Sequence, residues 1–116
     1  MNFLHATGSP NPGGYRDIAP GLVAPARARV RIVDVREPAE YTGELGHVPG
    51  AELVPLAMIE GAAQGWDKEQ EIVLVCRSGA RSGRAAALLS SMGFCHVMNM
   101  TGGMIGWNDA GLPIER

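Results

Sequence analysis

Two apolar runs in the chain have the pattern of buried strands. Residues 72–76 are apolar without interruption, and residues 29–35 alternate at first and then become almost continuously apolar. Strands of this kind are typical of parallel sheets that helices cover on both faces. Shorter strands are predicted at residues 15–18, 51–54 and 96–100.

Helical spacing is clearest in residues 82–92, which end at Gly93, the expected C-terminal stop. Apolar side chains recur there at i, i+3, i+4 and i+7, namely Ala85, Leu88, Leu89 and Met92. Further helices are predicted at residues 20–27, interrupted by Pro25, and at residues 38–42, 57–64 and 104–110. Strands that alternate with helices through short loops predict an α/β fold, with a parallel sheet of about five strands and helices on both faces.

The first fourteen residues have a different character from the rest. They are dense in residues that break regular structure: Gly8, Pro10, Pro12, Gly13 and Gly14. We therefore expect residues 1–14 to be a flexible lead-in without a helix or strand. Residues 15–116 are then expected to form one domain, as is usual for a chain of 116 residues.

Composition narrows the function classes. The chain is 46% hydrophobic and 19% charged, as in globular proteins, and its net charge of −2 comes without a basic run, so nucleic acid is not an expected partner. No stretch approaches the roughly 20 apolar residues of a membrane span. The two cysteines and three histidines form no metal-binding or disulfide pattern, which predicts no metal and a reducing compartment, the cytoplasm.

The strongest candidate for chemistry is the segment Cys76-Arg77-Ser78-Gly79-Ala80-Arg81-Ser82, where an apolar strand leads into a helix. Loop amides and a helix N-terminus at this position favour an anion, and two arginines add positive charge. These effects should lower the pKa of the Cys76 thiol below its ordinary value of about 8.5. The competing interpretation is that Cys76 is only a small buried apolar residue.

Other polar residues fall at the same edge of the predicted sheet. Asp34 ends a strand, and residues 101–103 form a turn after another. Because ligands bind at the carboxyl ends of parallel strands, these loops should surround Cys76. We expect Asp34 to bond loop amides or pair with an arginine, and Arg36 to pair with Glu37 at the surface.

Four stretches of the sequence resemble a single-domain rhodanese, a sulfurtransferase. They are residues 33–37 with Glu40 and Tyr41, residues 46–51, residues 76–82, and Gly102-Gly103 with Trp107, Gly111 and Pro113. The resemblance runs from about residue 15 to residue 113 and implies the three-layer rhodanese-like fold. It also implies that Cys76 is the nucleophile, with Arg77, Ser78, Gly79, Ala80, Arg81 and Ser82 binding the substrate and Asp34, Arg36 and His47 in support.

The resemblance further implies a mechanism, in which the cysteine takes the outer sulfur of a small anionic donor such as thiosulfate and becomes a persulfide. The persulfide sulfur then passes to cyanide, a thiol or a protein cysteine, and no cofactor is needed. Two-step transfer through a covalent intermediate predicts ping-pong kinetics. His47 resembles a family histidine that is mostly structural.

Three alternatives stay open at this stage. The chain could relay persulfide sulfur to a partner protein with little turnover. Phosphate or arsenate chemistry is disfavoured, because cysteine phosphatases resemble this loop but have one more residue between cysteine and arginine than the four between Cys76 and Arg81. Cys95 could attack and resolve a persulfide on Cys76, but the simpler interpretation is that it is a packing residue. The protein is expected to be a monomer or a weak dimer.

Overall fold

The computed structural model describes residues 3–116. Within these residues, six strands form a single sheet: β1 (Ser9–Pro10), β2 (Arg16–Ile18), β3 (Arg31–Asp34), β4 (Glu52–Leu53), β5 (Glu71–Val75) and β6 (His96–Met100). The same part of the chain contains five α-helices: α1 (Pro20–Ala26), α2 (Pro38–Tyr41), α3 (Ile59–Ala62), α4 (Ala80–Ser91) and α5 (Gly103–Asp109). None of the helices in residues 3–116 is long and apolar enough to cross a membrane.

The sheet has the strand order β1-β2-β6-β5-β3-β4. Every pairing is parallel except that of β1 with β2, at one edge. The central strands β3, β5 and β6 are buried from their second residue onward, as continuous apolar runs predict. Because these three strands are parallel, their carboxyl ends lie at the same end of the sheet, where the connecting loops meet.

Two hydrophobic clusters fill the spaces on either side of the sheet. The first contains Val23 of α1 and Met104 and Trp107 of α5, and the second contains Ile59 of α3 and Leu89 of α4. Helices thus cover both faces, and the predicted three-layer α/β architecture is confirmed, with six strands in place of about five. Trp107 is fully buried in the first cluster and donates from Nε1 to the carbonyl of Pro113 at 2.7 Å.

The prediction that the N-terminal segment lacks regular structure is wrong over the described residues. Residues Leu4–Thr7 form a 3-10 helix, and Ser9–Pro10 form the edge strand β1. Leu4 is 4% exposed within the first cluster, and the amide of His5 donates to Glu71 Oε1 at 2.7 Å. Burial of one leucine and pairing along an edge outweigh the breakers that the sequence pattern emphasised. The first two residues lie outside the described part of the chain.

Several element boundaries also differ from expectation. The helix predicted at residues 57–64 consists of a 3-10 turn, the short helix α3 and a second 3-10 turn. Pro25 does not interrupt α1, which continues to Ala26. Helix α4 begins at Ala80, two residues earlier than predicted, because Gly79 turns the chain with a left-handed φ of +109°. Only glycine adopts that conformation without steric cost.

Candidate active site

The segment around Cys76 is held by its neighbours on the sheet. Cys76 directly follows β5, and Gly79 directly precedes α4. Helix α5 closes over the segment, since the amide of Met104 donates to the carbonyl of Cys76 at 2.9 Å and that of Ile105 to the carbonyl of Arg77 at 3.1 Å. The loop therefore has little freedom to move away from the strand end.

The sulfur of Cys76 is surrounded by hydrogen-bond donors. The amide of Gly79 donates to Sγ at 3.0 Å, and the hydroxyl of Ser82 lies 3.3 Å from Sγ. The residue as a whole is only 1% exposed. Burial alone would raise the pKa of the thiol, but the hydroxyl of Ser82 and the amides of Ser82, Gly79 and Ser78 outweigh it, so the pKa of Cys76 is lowered. The lowering that the sequence predicts thus comes from loop donors, with no leading contribution from the arginines.

Asn99 is a buried residue of this site that the sequence reasoning missed. It lies on β6, is 7% exposed, and donates from Nδ2 to the carbonyl of Gly79 at 3.2 Å. Its Oδ1 lies 2.5 Å from the hydroxyl of Ser82. The available signal was its position between the apolar residues Met98 and Met100 of a predicted strand, because a buried amide needs partners.

The Ser82 hydroxyl has a single proton for several acceptors. Cys76 Sγ and the carbonyl of Gly79 each lie 3.3 Å from Ser82 Oγ, and Asn99 Oδ1 lies nearer. With its proton on Asn99, Ser82 can accept from a Cys76 thiol, and with its proton turned to Sγ it stabilises a thiolate. The two side chains can thus serve either protonation state of the sulfur.

The arginines of the segment differ from each other in their partners. Arg81 is bound to Glu40 of α2 by two hydrogen bonds, of 2.7 Å and 2.8 Å. This pairing lowers the pKa of Glu40 to about 2 and is the largest cause that raises the pKa of Arg81, to which the Cys76 sulfur adds a smaller contribution. Within residues 3–116 the guanidinium groups of Arg77 and Arg84 have no hydrogen-bond or ion-pair partner.

Two cavities flank this ion pair. One, of about 450 Å³, is lined by Arg36, Ala39, Glu40, Gly43, Glu44, Leu45 and Arg77. The other, of about 590 Å³, is lined by Val35, Glu37, Leu56, Ala57, Arg81, Arg84 and Leu88. Glu40 lines the first cavity and Arg81 lines the second, which is the more apolar of the two. Arg77 and Arg81 also belong to the segment that carries Cys76, so both cavities adjoin that segment.

Asp34 and Arg36 form a buried ion pair at the end of β3. Asp34 accepts from Nε and Nη2 of Arg36 at 2.9 Å and 2.8 Å, and Arg36 also donates to the carbonyl of Gly46 at 2.7 Å. Both side chains are at most 1% exposed. The expected pairing of Arg36 with Glu37 is wrong, because Glu37 caps α2 together with Glu40 and Arg36 turns inward to the buried carboxylate.

Within residues 3–116, neither His47 nor Cys95 forms a hydrogen bond or ion pair with the segment that carries Cys76. His47 stacks on Tyr41 with ring centroids 3.7 Å apart, and its Nδ1 lies 2.8 Å from the carbonyl of Tyr41. Cys95 is exposed and precedes β6, whereas Cys76 follows β5. Since β5 and β6 are parallel, the two cysteines lie at opposite edges of the sheet, which removes Cys95 as a resolving thiol.

Among the described residues, no group of three or more His, Cys, Asp or Glu side chains could hold a metal ion. The chemistry that this arrangement can perform is that of a stabilised thiolate. Amides and a hydroxyl converge on one sulfur, and this arrangement stabilises negative charge there.

Comparisons with known proteins agree with this geometry. The rhodanese-like domain family matches residues 22–110 of the chain. A sulfurtransferase of Allochromatium vinosum is 41% identical over 85 residues, which cover 73% of this chain and 78% of that protein. A thiosulfate sulfurtransferase, GlpE, of Pseudoalteromonas translucida is 37% identical and is covered over 75% of its length, and this match covers 70% of this chain.

Longer relatives and solved structures are also similar. The putative sulfur carrier protein YrkF of Bacillus subtilis is 40% identical over 67% of this chain, but the match spans only 41% of YrkF. The crystal structure of a rhodanese-like domain protein from Staphylococcus aureus superposes with a TM-score of 0.72 at 30% identity, over 86% of this chain and 98% of that one. With the family profile matched over residues 22–110, the chain belongs to the rhodanese-like domain family.

Proposed function

We propose that the protein is a sulfurtransferase in which Cys76 carries the transferred sulfur as a persulfide. The observation that carries this proposal is the placement of Cys76 Sγ, 3.0 Å from the amide of Gly79 and 3.3 Å from the hydroxyl of Ser82. These donors favour the thiolate, which is the nucleophilic form of cysteine. Relatives named as sulfurtransferases support the same class of reaction.

The first step takes the outer sulfur from a donor such as thiosulfate. The Cys76 thiolate attacks that sulfur, a bond forms between the two sulfurs, and the sulfur–sulfur bond of thiosulfate breaks with its electron pair on the leaving sulfite. The products are Cys76–S–S⁻ and SO₃²⁻, so charge and atoms balance. The amides of Ser78, Gly79 and Ser82 stabilise the negative charge on the persulfide.

The second step returns the thiolate. An acceptor thiolate, cyanide or a protein cysteine attacks the outer persulfide sulfur, and the electron pair of the broken bond returns to Cys76 Sγ. No proton has to be delivered to the leaving group, because the Cys76 thiolate is itself stabilised by its neighbours. No cofactor takes part in this proposal, and a reducing compartment such as the cytoplasm suits the two free cysteines.

Phosphate or arsenate chemistry has weaker support. Such a reaction needs a general acid at its leaving group, and Asp34, at the same end of the sheet as Cys76, is the candidate for that role. Its carboxylate is fully buried and both oxygens accept hydrogen bonds from Arg36. A carboxylate bound in this way has no free oxygen to deliver a proton to a substrate in either cavity.

A persulfide relay to a partner protein is the second candidate function. It is favoured by the relative named as a putative sulfur carrier, YrkF. The relay would use the same Cys76 persulfide and would differ in its acceptor. Rapid transfer to a partner protein combined with negligible turnover on cyanide or small thiols would identify it.

The decisive experiment is intact mass spectrometry of the reduced protein after exposure to thiosulfate. We expect the wild type to gain the mass of one sulfur, the Cys95→Ser variant to gain it equally, and the Cys76→Ser variant to gain none. Cys95→Ser is the matched control because it removes the other cysteine, at the opposite edge of the sheet. A gain of one sulfur by the Cys76→Ser variant would refute the proposal.

A further inference from the structure

We propose that Glu40 determines which sulfur donors the site accepts, by neutralising Arg81 and so favouring persulfides of thiols over thiosulfate. This inference rests on the proposed function and goes beyond it by naming the donor class. Two contacts of 2.7 Å and 2.8 Å join the Glu40 carboxylate to the Arg81 guanidinium. The arginine that the sequence suggests as a receptor for an anionic donor is therefore already bound to an anion of the protein itself.

Glu40 is held firmly in this position. It is the third residue of α2, where its Oε1 accepts from the amide of Glu37 at 3.2 Å in a capping box. The side chains of Glu40 and Arg81 are about one-third exposed, at 31% and 35%. A donor arriving from solvent has to compete with a two-bond, pre-formed partner for this guanidinium, and such pairs are the stronger kind of ion pair.

The charges around the two cavities are balanced overall. The positive side chains are Arg77, Arg81 and Arg84, the negative ones are Glu37, Glu40 and Glu44, and Arg36 is matched by its buried partner Asp34. Such a lining does not concentrate small dianions, because local attraction to a charged ligand needs an excess of the opposite charge. Thiosulfate carries two negative charges, so among the possible donors it loses the most from the lack of excess positive charge around the cavities.

A persulfide of an organic thiol depends less on positive charge around the cavities than thiosulfate does. The Cys76 thiolate attacks the outer sulfur of the persulfide anion RSS⁻, the sulfur–sulfur bond of the donor breaks with its electron pair on the inner sulfur, and the products are Cys76–S–S⁻ and the thiolate RS⁻. The organic group R then determines binding, and the larger cavity offers it the apolar side chains of Val35, Leu56 and Leu88. Burial of such a group contributes affinity without help from Arg81.

The test compares two donors on matched variants. The donors are thiosulfate and aminoethyl persulfide, whose ammonium group offsets its persulfide charge, and the readout is the rate of sulfur gain at Cys76 by intact mass. We expect Glu40→Gln to raise the thiosulfate-to-persulfide rate ratio about tenfold, since the charge removed is in contact with Arg81. The gain should lie in the concentration dependence on thiosulfate and should shrink as salt is added.

Three controls make the result specific. Glutamine preserves the capping box, so the fold of α2 should survive. Glu44→Gln removes the same charge from the lining of the same cavity without a contact to Arg81, and we expect it to change the ratio less than twofold. In the double variant Glu40→Gln/Arg81→Gln the tenfold gain should disappear, because the freed guanidinium is gone.

The outcomes separate this inference from the proposed function. If Glu40→Gln changes the ratio no more than Glu44→Gln does, or if both donors accelerate equally, the role of Glu40 in donor choice is refuted while Cys76 chemistry stands. If neither donor adds sulfur to the wild type, the proposed function itself fails, and the inference fails with it.

Discussion

The hydroxyl of Ser82 is the side-chain group that most directly favours a Cys76 thiolate. It lies 3.3 Å from Sγ, and among the causes that lower the pKa of Cys76 it is the largest. Burial acts in the opposite direction and raises that pKa. A small change at Ser82 should therefore shift the balance between thiol and thiolate.

We predict that Ser82→Ala raises the pKa of Cys76 and slows sulfur gain from thiosulfate several-fold at neutral pH. A higher pKa means a smaller thiolate fraction at that pH, so the rate should be recovered as the pH rises. The measurement is the pH profile of the rate in a Cys95→Ser background. Ser90→Ala is the control, because it removes a hydroxyl of the same helix that is bonded to the carbonyl of Gly14 instead. An unchanged profile in Ser82→Ala would show that the hydroxyl does not act on the sulfur.

Asn99 gives a second prediction for a single residue. Asn99→Asp keeps the size of the side chain but replaces the donor to the carbonyl of Gly79 with a carboxylate oxygen. The added negative charge near the sulfur should raise the pKa of Cys76, and two acceptors facing each other should cost roughly 1–3 kcal/mol of stability. Titration of the thiolate by its ultraviolet absorbance, together with urea unfolding, measures both effects. A pKa equal to that of the wild type would remove Asn99 from the electrostatics of the site.

Individual elements were predictable where one strong pattern determines them. The continuous apolar run of β5 and the helical spacing of α4 came from the sequence directly, and so did the position of Cys76 between them. The interactions of the segment were harder to predict. The pairing of Arg81 with Glu40 joins residues 41 positions apart, and the inward turn of Arg36 depends on a carboxylate that only the folded sheet buries. The first contact leaves no local pattern because its partners are distant in sequence. The second joins residues only two positions apart, but the sequence alone did not distinguish Asp34 from Glu37 as the partner of Arg36.

Helix α5 provides a prediction on how the segment is held. Gly103 begins α5 with a φ of +55°, and a Cβ there would lie 2.5 Å from the carbonyl carbon of Arg77, so Gly103→Ala should destabilise the fold by at least about 2 kcal/mol. The matched control is Gly106→Ala in the same helix, where a Cβ would lie 3.5 Å from the nearest atom, the carbonyl oxygen of Thr101. Alanine at that position should stabilise the helix by up to about 1 kcal/mol. Thermal unfolding of the two variants measures the difference, and similar midpoints would contradict the close approach of α5.

For the molecule as a whole, the N-terminal segment changes where the folded domain begins. A boundary at residue 15 would leave out the 3-10 helix at Leu4–Thr7 and the edge strand β1. The sequence pattern concealed them because each is short and lies among prolines and glycines. Their stabilisation comes from contacts with distant parts of the chain, such as the hydrogen bond from Arg16 to the carbonyl of His5 and that from the His5 amide to Glu71. We therefore propose that the folded domain includes this segment.

Leu4 tests this proposal at a single position. It is 4% exposed, so Leu4→Ala should lower the free energy of unfolding by roughly 2–4 kcal/mol, the usual cost of removing a buried leucine side chain. Leu22→Ala is the matched control, because Leu22 also lies in a short helix but is 46% exposed and should cost less than about 0.5 kcal/mol. Urea unfolding of both variants, and of a chain lacking residues 1–14, gives the comparison. We expect the truncated chain to lose at least as much stability as Leu4→Ala, because it loses β1 and the His5 hydrogen bonds as well. Equal midpoints for the truncated and full chains would show that the segment rests on the domain without stabilising it, and the boundary at residue 15 would then stand.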